Sequence, residues 1–120
     1  MEARLIRIGI TMGDPAGVGP EIVLRVINDR TVTTRAALLV FGDASVLERC
    51  AEVTGQAFDT PVLSLGQWQR QPQSIAHTTV IDCGCMNVND LTPGVVSAAT
   101  GDASFRYIQA AIYAALAGHI

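Results

Sequence analysis

Residues 13–21 read Gly-Asp-Pro-Ala-Gly-Val-Gly-Pro-Glu, and no other stretch restricts the backbone so tightly. Glycine opens conformations closed to other residues, while proline fixes φ near −65°. Before this stretch runs "LIRIGITM" (5–12), short and rich in isoleucine, which predicts a strand. After it, Pro20 suits the first turn of a helix and Gly19 its N-cap. Ile22, Val23, Val26 and Ile27 recur at helical spacing, so a helix of about ten residues is expected. The chain must therefore pass from strand to helix through a loop whose path a plain helix entry does not need.

The same alternation continues. "AALLVFG" (36–42) is a near-continuous apolar run, as expected of a strand buried on both faces. Asp43 or Ser45 can cap a second helix that stops at Gly55. Strand, helix, strand, helix implies an α/β class with a parallel sheet covered by helices. Further on, "TPVLSLG" (60–66) reads as a short strand, "QWQRQPQS" (67–74) as loop, "TTVIDC" (78–83) as a strand and "GCMNVNDLTPG" (84–94) as loop. The longest helix is expected from Ser97 to about Ala117, closed by Gly118. Phe105, Ile108, Ile112, Ala115 and Leu116 share one of its faces, the expected core or interface side. An α/β layout next expects a strand, so the 120 residues read as the N-terminal part of a longer, two-domain protein.

Composition removes several functions. The chain is 49% hydrophobic and 16% charged, enough for a real core. A net charge of -3 with no basic run argues against nucleic acid. All eight positive residues are arginines, which excludes a phosphate-loop lysine, a Schiff-base lysine and a lysine general base. The longest mainly apolar stretch, "YIQAAIYAALAGHI" (107–120), falls short of the roughly 20 residues a membrane span needs, so the chain reads as soluble. Cys50, Cys83 and Cys85 are odd in number and lack a preceding signal peptide, which points to reduced thiols in the cytoplasm. The Cys-x-Cys spacing does not match the usual zinc pairs. His77 and His119 read as solvated, and Trp68 as a partly buried anchor. Asp102 and Arg106 are spaced for a surface ion pair, with Ser97, Thr100 and Asp102 as capping groups.

The loop itself fails two familiar patterns. Gly13, Gly17 and Gly19 are spaced G-x-x-x-G-x-G, not G-x-G-x-x-G, and the stretch ends Gly-Pro-Glu rather than Gly-Lys-Ser/Thr. Pro20 removes one donor from the helix N-terminus, and Glu21 offsets its positive dipole. Bare phosphate is a poor guest there. A hydroxyl, an amide or a ribose that donates to the carboxylates of Asp14 and Glu21 is a better one. The plainer alternative is that both acids only cap and charge the helix start.

"ITMGDPAGVGPEIVLRV" (10–26) resembles the opening signature of the 4-hydroxythreonine-4-phosphate dehydrogenase family. "PGVVSAATGDASFRYIQAAIYAALAG" (93–118) is similar to that family's entry into a long helix. The related isocitrate and isopropylmalate dehydrogenases open on a comparable Gly-Asp-Gly-Ile-Gly-Pro-Glu turn, so the resemblance implies their fold. It also implies a metal-dependent, NAD- or NADP-linked oxidation of the secondary alcohol of a small phosphorylated hydroxy acid, followed by decarboxylation. The substrate would be 4-hydroxythreonine 4-phosphate, as in pyridoxine biosynthesis, or phosphorylated threonate or erythronate. The resemblance further implies a cytoplasmic homodimer and a divalent zinc, magnesium or cobalt ion held outside these 120 residues. Within them it leaves Gly13, Asp14, Gly17, Gly19 and Glu21 as candidate cofactor-binding residues and no catalytic or metal-ligating residue, so the chain alone is expected to be inactive. The alternatives are a branch acting on aromatic cis-dihydrodiols and a non-catalytic binding or scaffold module.

Overall fold

A computed structural model describes residues 5–120. Strand β1 (Ile6–Thr11) leads through the glycine-rich loop into helix α1 (Gly19–Ile27). A short helix α2 (Arg30–Thr33) follows, held at its start by Asp29, whose carboxylate accepts from the Thr31 amide at 2.9 Å. Then come β2 (Ala36–Gly42), α3 (Ala44–Thr54), β3 (Val62–Ser64), α4 (Leu65–Arg70), β4 (Thr79–Asp82) and α5 (Ala98–Leu116). The four strands are all parallel, in the order β1-β2-β4-β3. This is the α/β architecture the alternation predicts.

Strand β2 is the centre of the fold, and all seven of its residues are buried, as its unbroken apolar run requires. Both faces of the sheet are therefore covered. Helices α1 and α3 pack on each other over one face. Helix α5 lies across β1 and β2 on the other, with α4 beside it against β3 and β4. Leu24 of α1 and Leu47 of α3 reach zero exposure, as do Leu39, Val40 and Phe41 of β2 and Val80 and Ile81 of β4. Burying each such side chain is worth about 1.5–3 kcal/mol relative to leaving it in water.

Three expectations need correction. Gly19 is the first helical residue of α1 rather than its cap; the cap position falls to Val18, and no side chain among the described residues bonds to that helix start. Residues 67–74 are not loop. Ser64 and Gln67 form a reciprocal capping box that starts α4, and a 3₁₀ turn spans Pro72–Ser74. The polar composition around Pro72 concealed the Ser-x-x-Gln signal. The third correction concerns α5. Its bulky stripe, expected on the core or an interface, does not enter this chain's core, which leaves only the interface side of that expectation: Phe105 is 62% exposed, Ile112 51% and Leu116 81%. The face that packs on the sheet is the opposite one, carrying Thr100, Ala103, Tyr107 and Ala114. Small residues there let the helix axis come close to the strands. Ser97 caps α5 as expected, with Thr100 completing its box.

Candidate functional site

Because all strands run the same way, their carboxyl ends share one rim, where open α/β sheets bind ligands. The opening loop occupies the β1 part of it. Gly13 turns the chain at φ +76°, a left-handed conformation that disfavours any side chain. Asp14 then folds the loop on itself: its Oδ1 accepts from the Ala16 amide at 2.8 Å, and its carbonyl from the Gly17 amide at 2.9 Å. Gly19 is required for a different reason, since a Cβ there would land on the carbonyl oxygen of Met12. The glycines thus let the first turn of α1 sit directly on the end of β1, with Met12, Pro15, Ala16 and Pro20 buried beneath.

The acids of this stretch separate. Asp14 does not cap α1; it closes the turn before it, and its second carboxylate oxygen accepts nothing among the described residues. Glu21 lies in the first turn of the helix and pairs with Arg25 at 3.3 Å. Gly13, Asp14, Gly17 and Gly19 therefore belong to one loop, whereas Glu21 sits on the helix flank. The long β4–α5 connection reaches across to this loop, where the Gly94 amide donates to the Ala16 carbonyl at 2.7 Å.

A second carboxylate sits at the end of the neighbouring strand. Asp43 directly follows β2 and is 1% exposed. It occupies the N-cap position of α3, where its carbonyl accepts from the Val46 and Leu47 amides, but its side chain does not bond to that helix. Its carboxylate instead accepts from the Cys85 amide at 2.9 Å, from the Met86 amide at 3.3 Å and from the hydroxyl of Tyr107 on α5. Asp82, at the end of β4, takes over the vacated role: its Oδ1 accepts from the Ala44 amide of α3 at 3.2 Å and from the Gly84 amide at 3.3 Å. Two adjacent strands thus exchange their end groups, locking β2, the 83–86 loop and α5 together. Sequence reasoning saw Asp43 only as a helix cap and did not single out Tyr107 or Asp82. No local pattern signals partners 42 and 64 residues away.

Burial shifts the titration of Asp43, Tyr107, Cys83 and Cys85 upward at this junction. Burial raises the Asp43 carboxyl above the usual carboxylate range, against the pull of the Tyr107 hydroxyl. Burial, then the bond to Asp43, raises the Tyr107 hydroxyl as well. Burial pushes the Cys83 thiol up to about 12 and also raises the Cys85 thiol, where the nearby Asp43 adds to the effect. Neither thiol is an activated nucleophile. Both border an open cavity of about 420 Å³ between α4 and α5, lined also by Gln69, Phe105, Arg106 and Tyr113. Arg106 is paired there with Asp102 at 2.8 Å, the expected ion pair. No group of three or more His, Cys, Asp or Glu side chains suited to a metal occurs among the described residues. His77 is exposed, while His119 packs edge-on to the buried Trp68 at 5.8 Å.

The carboxyl rim of this parallel α/β sheet carries two interlocked loops, at the place where open α/β sheets bind their ligands. Over nearly its whole length this chain is similar to 4-hydroxythreonine-4-phosphate and D-threonate 4-phosphate dehydrogenases. It is 36% identical over 107 residues to a D-threonate 4-phosphate dehydrogenase of Cupriavidus necator, matching 88% of this chain and 31% of that protein. Its fold superposes with a TM-score of 0.81 on a solved 4-hydroxythreonine-4-phosphate dehydrogenase of Burkholderia phymatum, at 35% identity over 98% of this chain and 35% of the other. A terephthalate 1,2-cis-dihydrodiol dehydrogenase of Burkholderia xenovorans also superposes, at a TM-score of 0.73, 28% identity, 98% of this chain and 32% of the other. No family model matches the chain. The chain spans about a third of the length of the curated relatives it matches. No helix among the described residues is long and apolar enough to cross a membrane.

Proposed function

We propose that this chain supplies the N-terminal, rim-forming segment of a two-domain dehydrogenase that oxidises a phosphorylated hydroxy acid, 4-hydroxythreonine 4-phosphate or phosphorylated threonate or erythronate, with NAD or NADP. The observation that carries this reading is the opening loop: glycine-built, held against the β4–α5 connection, and presenting a carboxylate oxygen of Asp14 with no partner among the described residues. Such an oxygen suits a hydroxyl donor, as on a ribose or a hydroxy acid. Glycine at Gly13, beside which the space is open, allows ligand atoms to approach the backbone closely. A bound nicotinamide would supply hydride acceptance, and this chain's Gly13–Gly19 loop would seat it and close the sheet side of the cleft.

The residues described here do not fit a metal site. The divalent ion and the decarboxylation step are accordingly assigned to residues outside this chain. The isocitrate dehydrogenase-like arrangement of the complete fold, the homodimer and the cytoplasmic location belong to the same proposal. The likeness to a cis-dihydrodiol dehydrogenase favours a second reading in which the substrate is an aromatic diol and the rim serves the same seat.

The test is a chimera. These 120 residues replace the matched region of the Cupriavidus necator enzyme, and NADH formation from D-threonate 4-phosphate is followed with a divalent metal present. Turnover is expected, whereas the isolated chain should give none. A chimera that folds cooperatively but produces no NADH from D-threonate 4-phosphate, 4-hydroxythreonine 4-phosphate or an aromatic cis-dihydrodiol contradicts the proposal.

A further inference from the structure

Cys83, Gly84 and Cys85 follow β4 directly, and the proposed dehydrogenase chemistry makes no use of them. Gly84 turns the chain at φ +62°, in the left-handed region that favours glycine. The turn folds the second thiol back toward the first residue: Cys85 Sγ donates to the Cys83 carbonyl at 3.6 Å. Cys83 Sγ donates to the Ile81 carbonyl at 3.7 Å. Both cysteines line the open cavity of about 420 Å³ between α4 and α5, and neither is fully buried, so a solute entering the cavity meets two sulfurs. After burial, the strongest influence raising the Cys83 thiol is Cys85, as expected of two sulfurs held close together. Cys50 lies on α3 and does not line this cavity.

The number and softness of the donors select the guest. Structural zinc takes four nitrogen or sulfur ligands, and iron–sulfur clusters take four cysteines. Among the described residues no group of three or more His, Cys, Asp or Glu is placed for a metal, which disqualifies both. Magnesium and calcium want oxygen donors instead. Monovalent copper is soft, is selected by sulfur ligands and is satisfied by two of them. Two thiolates on one such ion leave a net charge of minus one. The cavity wall supplies the opposite charge in Arg106, which already draws the Cys85 thiol down against burial and Asp43.

We propose that Cys83 and Cys85 form a two-coordinate site for monovalent copper in the cavity between α4 and α5. Two S–Cu bonds form, both S–H bonds break, the two protons go to solvent, and the ion keeps its oxidation state. Without the ion the thiols stay protonated and resist alkylation, which needs the thiolate. Copper is taken up by displacing those protons, so its affinity rises with pH. The charged and titratable groups facing the pair are Asp43 after β2, Asp82 of β4, and Asp102, Arg106 and Tyr107 of α5, while α4 contributes Leu65 and Gln69. Loss of two protons per ion makes the affinity climb about 100-fold for each unit of pH through the neutral range.

Titration with Cu(I) tests the site. The reduced chain, free of oxygen, competes for the ion with a chromogenic Cu(I) chelator calibrated at each pH, and thiolate-to-copper absorption counts the ions bound. One ion per chain is expected, and Cys50→Ser should keep it. Cys83→Ser and Cys85→Ser should each weaken binding at least a hundred-fold, with circular dichroism reporting that the variants fold. Cys85→Ser alone carries the test if Cys83→Ser does not fold. Unchanged affinity in a folded Cys83→Ser or Cys85→Ser chain overturns the proposal, and so does loss of the ion in Cys50→Ser. A gain of only about ten-fold per unit of pH overturns it as well, because a single proton, and so a single thiol, would then be displaced. Half an ion per chain, with two copies joined through one copper, also overturns it.

Discussion

Asp14 and Asp43 stand at the carboxyl ends of neighbouring strands, each just before a helix, yet their surroundings are opposite. Asp14 commits one oxygen to an amide two residues along the chain and leaves the other available. Asp43 is buried and commits its carboxylate to the Cys85 and Met86 amides and the Tyr107 hydroxyl. The first carboxylate shapes its own loop; the second ties three distant segments into one piece. Position on the rim is therefore not enough to identify a binding group. What separates a ligand-facing carboxylate from a structural one is how much of its hydrogen-bonding capacity the protein has already used.

The largest expected effect falls on the opening loop's backbone rather than on either acid. Gly19→Ala should cost more than about 3 kcal/mol, because its Cβ meets the Met12 carbonyl and neither backbone can yield cheaply. Equilibrium denaturation measures this, and a loss below about 1 kcal/mol would mean that the loop relaxes. Next comes Asp43→Ala, which strands a buried hydroxyl and the two amides and should cost about 3 kcal/mol. Tyr107→Phe removes one donor of the same set and should cost about 1–2 kcal/mol by the same assay. If the Asp43 variant proved as stable as the parent, the contrast between the two acids would collapse.

The pH dependence sharpens the same contrast. The folded Cys83 thiol titrates near 12 against 9.0 when unfolded, so above pH 9 the unfolded chain loses its proton while the folded chain keeps it. Stability contributed by the protonated thiol is complete below pH 9 and is lost progressively between pH 9 and about 12. Cys83→Ala should flatten that decline in denaturation midpoints taken across this range. A slope identical to the parent's would show the thiol to be solvated. The smallest effect is expected at Ile108→Asp on the outer face of α5, within about 0.5 kcal/mol, since Ile108 is 44% exposed.

The parts of this molecule that sequence reveals are those whose cause is local. Strand β2 matches its apolar run residue for residue, and Gly55 ends α3 in the left-handed conformation expected of it. The turn at Gly13 was legible because proline and glycine state their backbone demands directly. The failures share one cause, which is that the deciding contact is remote. Helix α5 is apolar on both faces, so periodicity selects the bulkier stripe, whereas the sheet accepts the face of Ala103 and Ala114 because small residues pack closest. The Asp43 junction joins residues far apart in sequence, and nothing near Asp43 announces its partners. Helix α4 is the exception, since its Ser64–Gln67 box was present and was outweighed by Pro72.

The claim that the opening loop serves a ligand is tested most directly by Asp14→Ala in the active chimera, with kinetics and stability measured on the same preparation. Loss of the turn bond to Ala16 should lower stability by no more than about 1 kcal/mol. The kcat/KM for the phosphorylated hydroxy acid should fall at least ten-fold, equivalent to about 1.4 kcal/mol of transition-state stabilisation. Unchanged kcat/KM alongside reduced stability would contradict the account and leave Asp14 as a turn-forming residue with no part in binding.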